Sequence, residues 1–375
     1  MAPKLTWQQA LAWRMERHLL DPSTNASVED VVRRLCGVQA QVASSAELAI
    51  RVRQSKSPAG EVGRALAEGR LVKTWAMRAT LHLLTPEDAG SFLSLMAHAR
   101  SWERPIWQRY FGVSAGQMEE LRPIVREILG DSALTRDELI AEVIKRRGFD
   151  HIGDALKSGW GTLLKPMAWQ GDLVFGPSRG TRVTFMRPHV ASASWAGVPA
   201  VDDAWAKVIL AYLGAYGPAT IDNFSAWLSR GTISKGQLRV WFAELGDQLA
   251  QVEIEGELMY ARSEDLDVLG AARPSSTLRL LPGFDQWVLG PGTDDAHVIP
   301  AARRRAVSKQ AGWIAPVLVV GGVVRGTWEL KGDRVTVAWF KEGGKPPQRA
   351  IGAEAKRLSG IVGRDLTATV GEVGQ

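Results

Sequence analysis

The chain has 375 residues and an apolar content of 45%, enough for a sizeable core and for roughly two to four domains. The single cysteine, Cys36, excludes an intramolecular disulfide and a cysteine-based zinc site. The six scattered histidines show no metal-ligand spacing, so no metal and no other cofactor is expected. A formal net charge of +6 and a pI near 9.5 favour a polyanionic partner, though weakly, because 46 basic residues face 40 acidic ones.

The N-terminus lacks the layout of a signal peptide, since residues 7–20 read as a helix carrying several charges. Further helices are predicted over 28–36, 44–54 and 61–68. Between the second and third stands Gly37-Val38-Gln39-Ala40-Gln41-Val42-Ala43. Glutamines at i and i+2 share a direction only on extended backbone. Ser44-Ser45-Ala46-Glu47 has the form of a capping box opening the next helix. The two amides are therefore expected to face one way beside a helix N-terminus, a setting that accepts phosphate. Residues 71–75 and 80–84 read as a hairpin, and Thr85-Pro86 restarts a helix.

A second unit of the same kind begins near Gln117. Thr135-Arg136-Asp137-Glu138 is a capping box ahead of a helix over 139–147, and another helix is expected over 154–169. Strands over 172–176 and 182–187 flank Pro177-Ser178-Arg179-Gly180. A third unit has helices over 204–216, 221–229 and 235–245, then a hairpin around Glu255-Gly256. Beyond Ser263, strands over 316–320, 323–330 and 334–340 precede a helix over 348–361. The longest apolar run, 314–324, is broken by Pro316, Gly321 and Gly322 and is too short to span a bilayer. A soluble cytoplasmic protein is expected. Most of the fifteen tryptophans are expected to be core anchors, Trp205, Trp227 and Trp241 among them.

Helices followed by a hairpin are the signature of the winged helix, a helix-turn-helix variant that docks on nucleic acid. The expectation is an α+β chain of tandem winged-helix domains followed by a C-terminal antiparallel β-sheet plus helix. The boundaries are 1–115 (carrying the Gln-Ala-Gln motif), 116–200, 201–265 and a β-rich region over 266–375. Arg303, Arg304, Arg305 and Lys309 lead into that last sheet and are able either to hold backbone phosphates or to form a solvated face. Arg51 and Arg53 follow the glutamine motif on its helix. Either takes a phosphate if that helix end faces DNA, and is otherwise a surface cation.

Gly37-Val38-Gln39-Ala40-Gln41, the segment from Trp75-Ala76-Met77-Arg78-Ala79-Thr80 to Leu84, the segment from Leu280-Leu281-Pro282-Gly283-Phe284-Asp285-Gln286-Trp287 to Gly290, and Gly326-Thr327-Trp328 together give a resemblance. Over nearly its whole length the chain resembles the AlkZ-type winged-helix DNA glycosylase family, the azinomycin self-resistance and interstrand-crosslink-unhooking glycosylases. The resemblance implies three tandem winged helices in a C-shaped body and a monomer acting on double-stranded DNA. It also implies removal of N7-alkylated guanine, crosslinks included. One branch of the family carries aspartate at the second motif position. Gln41 aligns this chain with the self-resistance branch of producer bacteria, so a bacterial location on the nucleoid is expected.

The chemistry agrees with neutral amides. Alkylation at N7 makes guanine cationic, and breaking the glycosidic bond neutralises it, so the leaving group needs no general acid. What remains is to stabilise an oxocarbenium-like sugar and to position a water. Gln41 is assigned to the water and Gln39 to the nucleotide near sugar and base, although the reverse also fits. The motif holds no lysine for a Schiff-base lyase step, which favours a monofunctional hydrolase. A base tethered to the opposite strand resists full extrusion into a snug pocket, so an open cleft is expected. Segment 303–309 and the Trp75–Thr80 hairpin, Trp75 included, are the candidates to probe a groove, with His297 as a weaker one. His82 reads as a buried structural histidine, with a DNA contact as its second reading, and Asp285 as a cap, with a carboxylate near the cleft as its second. Two rivals remain at this point. A non-catalytic winged-helix regulator would bind a defined sequence and leave modified DNA intact, and a protein-interaction scaffold would show little salt-dependent DNA binding.

Overall fold

The structure is a computed structural model that describes residues 3–158 and 161–373. It divides into two compact units. One comprises Met1–Glu61, Ile209–Trp227 and Arg239–Gln375, the other Val62–Val208 and Leu228–Leu238.

The first unit is organised on a five-stranded sheet, in the order Leu278–Leu281, Val317–Val320, Val323–Lys331, Arg334–Phe340, Thr367–Val373. The three strands expected from the sequence pair antiparallel as anticipated; Leu278–Leu281, not expected as a strand, adds antiparallel on one side, and Thr367–Val373, also not expected, adds parallel on the other. The difference has a plain cause. The helix Gln348–Val362 intervenes before the last strand, and a helical crossover returns the chain in the parallel sense. That helix buries Ile351, Ala355 and Leu358, one stripe at helical spacing. Val317, Val319, Val335 and Val337 bury with them in a core that also takes in Leu11, Met15, Leu20 and Trp287.

A smaller sheet pairs Leu249–Ile254 with Glu257–Arg262 around Glu255 and Gly256. Both turn residues have positive φ (50° and 94°), as a two-residue hairpin turn requires. Lys4–Leu5 adds to this sheet in parallel, a strand too short to announce itself by alternation. Its core joins Leu5, Trp7 and Trp13 to Val252 and Ile254. The helices Val201–Tyr216, Ile221–Ser229 and Lys235–Glu244 lie close to the predicted positions, and Trp227 and Trp241 are buried.

In the second unit the hairpins of two successive predicted repeats share one sheet. Leu81–Leu84, Val72–Trp75, Val174–Arg179, Arg182–Met186 and Leu134–Thr135 run in that order, joined across the repeats at Lys73 and Phe175. The Thr135 capping box forms, with Glu138 at its third position, and opens Arg136–Val143. The helix expected over 154–169 is instead Gly153–Lys157 and Leu164–Trp169, with residues 159–160 outside the described chain. Gly161 has φ 64°, and a Cβ there would lie 2.2 Å from the Trp75 ring, so the chain breaks where only glycine fits.

Candidate catalytic site and nucleic-acid contacts

The glutamine motif is held by the turn before it. Val28–Arg34 opens with a capping box between Ser27 and Asp30 and stops at Leu35. Cys36 (φ 53°) and Gly37 (φ 100°) then reverse the chain, with Gly37 N donating to Val32 O at 2.8 Å. The Leu35 carbonyl accepts from Tyr216 Oη at 2.6 Å. A side chain at Gly290 would stand 1.9 Å from the Tyr216 ring, so glycine there lets the phenol reach the turn.

Val38–Gln39 is extended and the strand ends there. Gln39 is 6% exposed and Ala40 2%, whereas Gln41 sits in a bend at the surface. The two glutamines therefore differ in burial. The next helix also differs from expectation. It spans Ala43–Arg51 with Val42 as N-cap, so Ser44 and Ser45 lie inside the first turn and no side-chain cap forms. Glu47 accepts instead from Gly60 N at 3.0 Å. The first-turn N–H groups beside Gln41 thus lack a side-chain acceptor and carry the positive end of the helix dipole.

The far end of that helix is fixed from inside. Arg53 Nη1 donates to Ala49 O at 2.6 Å and to Asp285 Oδ2 at 2.8 Å, and Nη2 donates to Asp285 Oδ1 at 2.7 Å. Both side chains of this pair are 0% exposed. Arg53 is therefore neither a phosphate contact nor a surface cation, because its charge is consumed by a buried carboxylate that would otherwise stand unpaired. Asp285 also accepts from Trp287 N at 2.8 Å, as a helix cap, and Trp287 Nε1 donates to Gly322 O at 3.0 Å. His18 lies edge-on to Tyr216 and Trp287. Burial, then the Arg53 charge, holds His18 well below its usual range, so the ring is neutral. Arg51 donates to Ser57 O at 3.1 Å.

Trp75 belongs to the other unit and is only 4% exposed. Its ring packs against Phe175 at 4.6 Å and Phe185 at 5.9 Å, so it is a core residue and not a platform for a base. On the partner strand His82 is fully enclosed, with Nδ1 3.0 Å from Thr80 O. Burial, assisted by Arg78, pushes it down to about 3.

The basic segment folds as Ala301–Arg303 and Arg304–Val307, followed by a bridge between Ser308 and Ile314. Arg303 is taken by Glu342, with contacts of 2.8 to 3.1 Å, and lies over the Phe340 ring, so it is not among the available cations. Arg304, Arg305 and Lys309 are exposed. Trp313, 49% exposed and edge-on to Phe284, accepts from Lys309 N at 2.8 Å through its carbonyl; sequence reasoning missed it, and its place after a basic run is the signal that could have found it. His297 stacks on Trp7 at 3.7 Å. Of the sequence candidates, then, Gln39, Gln41, Arg51 and Arg53 share one loop and helix. Arg304, Arg305 and Lys309 form a separate exposed group, and Trp75 is core. Among the described residues no cluster of three or more His, Cys, Asp or Glu is placed to hold a metal. Among the described residues no helix is long and apolar enough to cross a membrane.

Comparison with known proteins gives consistent matches. The family model "DNA glycosylase AlkZ-like" matches residues 32–361. A Streptomyces sahachiroi protein described as an interstrand DNA cross-link repair glycosylase is 47% identical over 362 residues, 96% of this chain and 98% of that one. The solved structure of the Streptomyces sahachiroi DNA glycosylase AlkZ superposes with a TM-score of 0.95 at 45% identity, covering 98% of this chain and 100% of that one.

Proposed function

Because the chain belongs to the AlkZ-like DNA glycosylase family, and is accordingly a DNA glycosylase, we propose that it hydrolyses the N-glycosidic bond of N7-alkylguanine in duplex DNA, interstrand crosslinks included. The observation that carries this reading is the glutamine pair itself. Gln39 is held in a buried extended segment, and Gln41 is exposed beside the uncapped first turn of Ala43–Arg51. Gln41, at the surface, has access to solvent and is assigned to hold the attacking water. Gln39 is assigned to the nucleotide near sugar and base.

The departing base is already a cation, so the reaction needs an oriented nucleophile and a polar surround for the sugar, not acid catalysis. Neutral amides meet that need without titrating. Asp285 cannot serve as a base here, since Arg53 and Trp287 N occupy its oxygens. The helix–hairpin repeats over 1–115, 116–200 and 201–265 act as winged helices on DNA in this reading, and Arg51, Arg304, Arg305 and Lys309 hold backbone phosphates. The protein works as a monomer on the bacterial nucleoid and protects its producer from a genotoxic product. The crosslink repair named for the 47% identical relative supports the crosslinked substrate.

The test uses duplexes bearing N7-methylguanine or a nitrogen-mustard crosslink, with alkali to reveal abasic sites. Gln39→Ala and Gln41→Ala should each slow base release on the order of a hundredfold, the scale of losing one positioned polar group. A double alanine variant that folds normally and releases base at the parental rate would falsify the assignment.

A further inference from the structure

Away from the glutamine loop, the first unit contains a cleft of about 550 Å3 on which four arginines converge: Arg17, Arg33, Arg34 and Arg262. They come from three elements, the helices Trp7–Arg17 and Val28–Arg34 and the strand Glu257–Arg262. A solvated charge run lets its cations diverge, whereas two of these are anchored. Arg17 Nε donates to Gly214 O at 2.8 Å, and its guanidinium lies over the Trp13 ring at 5.7 Å. Arg262 is gripped by Asp265 at 2.6 and 2.8 Å and by Glu264 at 2.7 Å. A side chain at Gly214 would come within 2.8 Å of the Arg262 Cζ, so glycine there permits the close approach.

Asp30 lines the cleft and lies 3.6 Å from Arg33. The two carboxylates on Arg262 compensate that residue. Among the described residues, neither Arg17 nor Arg34 has a carboxylate within 4 Å. Burial, and after it the Arg34 charge, lowers Arg17 despite the opposing pull of Asp265. The cleft thus gathers two anchored guanidinium groups, Arg17 and Arg262, beside Arg34, and Arg17 and Arg34 have no carboxylate of their own; a guanidinium's planar fork matches a tetrahedral oxyanion.

We propose that the Arg17–Arg33–Arg34–Arg262 cleft is a phosphate-binding site and that its occupant is a backbone phosphodiester of the DNA strand. The helix that carries Arg33 and Arg34 runs through the Leu35–Gly37 turn directly into Gln39. A phosphate held on that helix therefore sets the register of the strand relative to the amide pair. The DNA source rests on the glycosylase reading; the phosphate chemistry does not.

Two measurements on the full-length protein decide it. The first compares thermal melting in inorganic phosphate with melting in chloride at equal ionic strength. The second follows binding of an undamaged duplex across a salt series by fluorescence anisotropy. Phosphate should raise the parental melting temperature more than chloride does, and Arg34→Gln should lose most of that extra shift. The same variant should bind all duplex sequences more weakly and flatten the log–log salt slope by about one. Arg34→Lys should restore part of the slope. Arg17→Gln is expected to act in the same direction; if it fails to fold, Arg34→Gln still carries the test. A variant that keeps both the parental phosphate shift and the parental slope overturns the site. A lost phosphate shift with an unchanged slope overturns the DNA source and leaves a free anion as occupant. Neither readout requires base release, so failure here is separable from failure of the amide assignment.

Discussion

At the residue scale, two buried histidines make the fold sensitive to acid. His82 and His18 are 0% and 1% exposed, and burial is the leading cause of a lowered affinity for protons at both. Each is neutral when folded and takes a proton near pH 6.5 when unfolded. The unfolded chain therefore binds more protons in the window from 6.5 down towards about 3 for His82. Stability is full above 6.5 and falls as pH drops through that window, by up to about 1.4 kcal/mol per pH unit for each ring. Urea unfolding at about pH 7 and about pH 5 should show the loss, and His82→Asn should make the pH dependence shallower; an equal slope in that variant would exclude His82 as a source. The buried strand position of His82 was readable from its apolar neighbours Leu81, Leu83 and Leu84. The difference in burial between Gln39 and Gln41 was not, because alternation describes a strand that continues, and this one stops between them.

At the element scale, the reactive loop depends on the turn that precedes it. Cys36 and Gly37 both hold positive φ, and Tyr216 secures the turn through the Leu35 carbonyl. Tyr216→Phe removes one oxygen and leaves that carbonyl without its phenol partner in a buried setting. The expected cost is about 1–3 kcal/mol in urea melts. Base release should slow as well, since the turn positions Gln39. Unchanged melting together with an unchanged single-turnover rate would show that the contact contributes nothing. The helix after the loop shows how local patterns mislead. Ser44-Ser45-Ala46-Glu47 satisfies the capping-box formula, yet the helix begins ahead of it, at Ala43. Glu47 finds Gly60 N instead, a partner supplied by the later path of the chain. At Thr135 and Glu138 the same formula forms as read, even though Glu138 also accepts from Arg179 at 2.9 and 3.0 Å, so a distant partner does not by itself displace a capping box.

At the scale of the whole molecule, contacts between distant segments organise the first unit, and Arg53 with Asp285 is the clearest case, 232 positions apart. Asp285→Ala leaves a guanidinium buried without its partner and should cost about 3–5 kcal/mol in chemical denaturation. Arg53→Met combined with Asp285→Ala should recover much of that loss; a double variant as unstable as the sum of the single ones would mean that the pair is not coupled. By itself the sequence determined the order and approximate bounds of most helices and hairpins, the candidate amide motif and the family resemblance. Those features are written in short-range periodicity, in capping and turn residues, and in local motifs. Only the tertiary structure decided that the hairpins of successive repeats join one sheet, that the final strand is parallel, that Arg53 and Trp75 are buried while Arg34 is not, and that arginines from three elements meet in one cleft. Such outcomes depend on which surfaces the folded chain brings together. Burial and charge pairing between residues far apart leave no periodic trace in a single sequence.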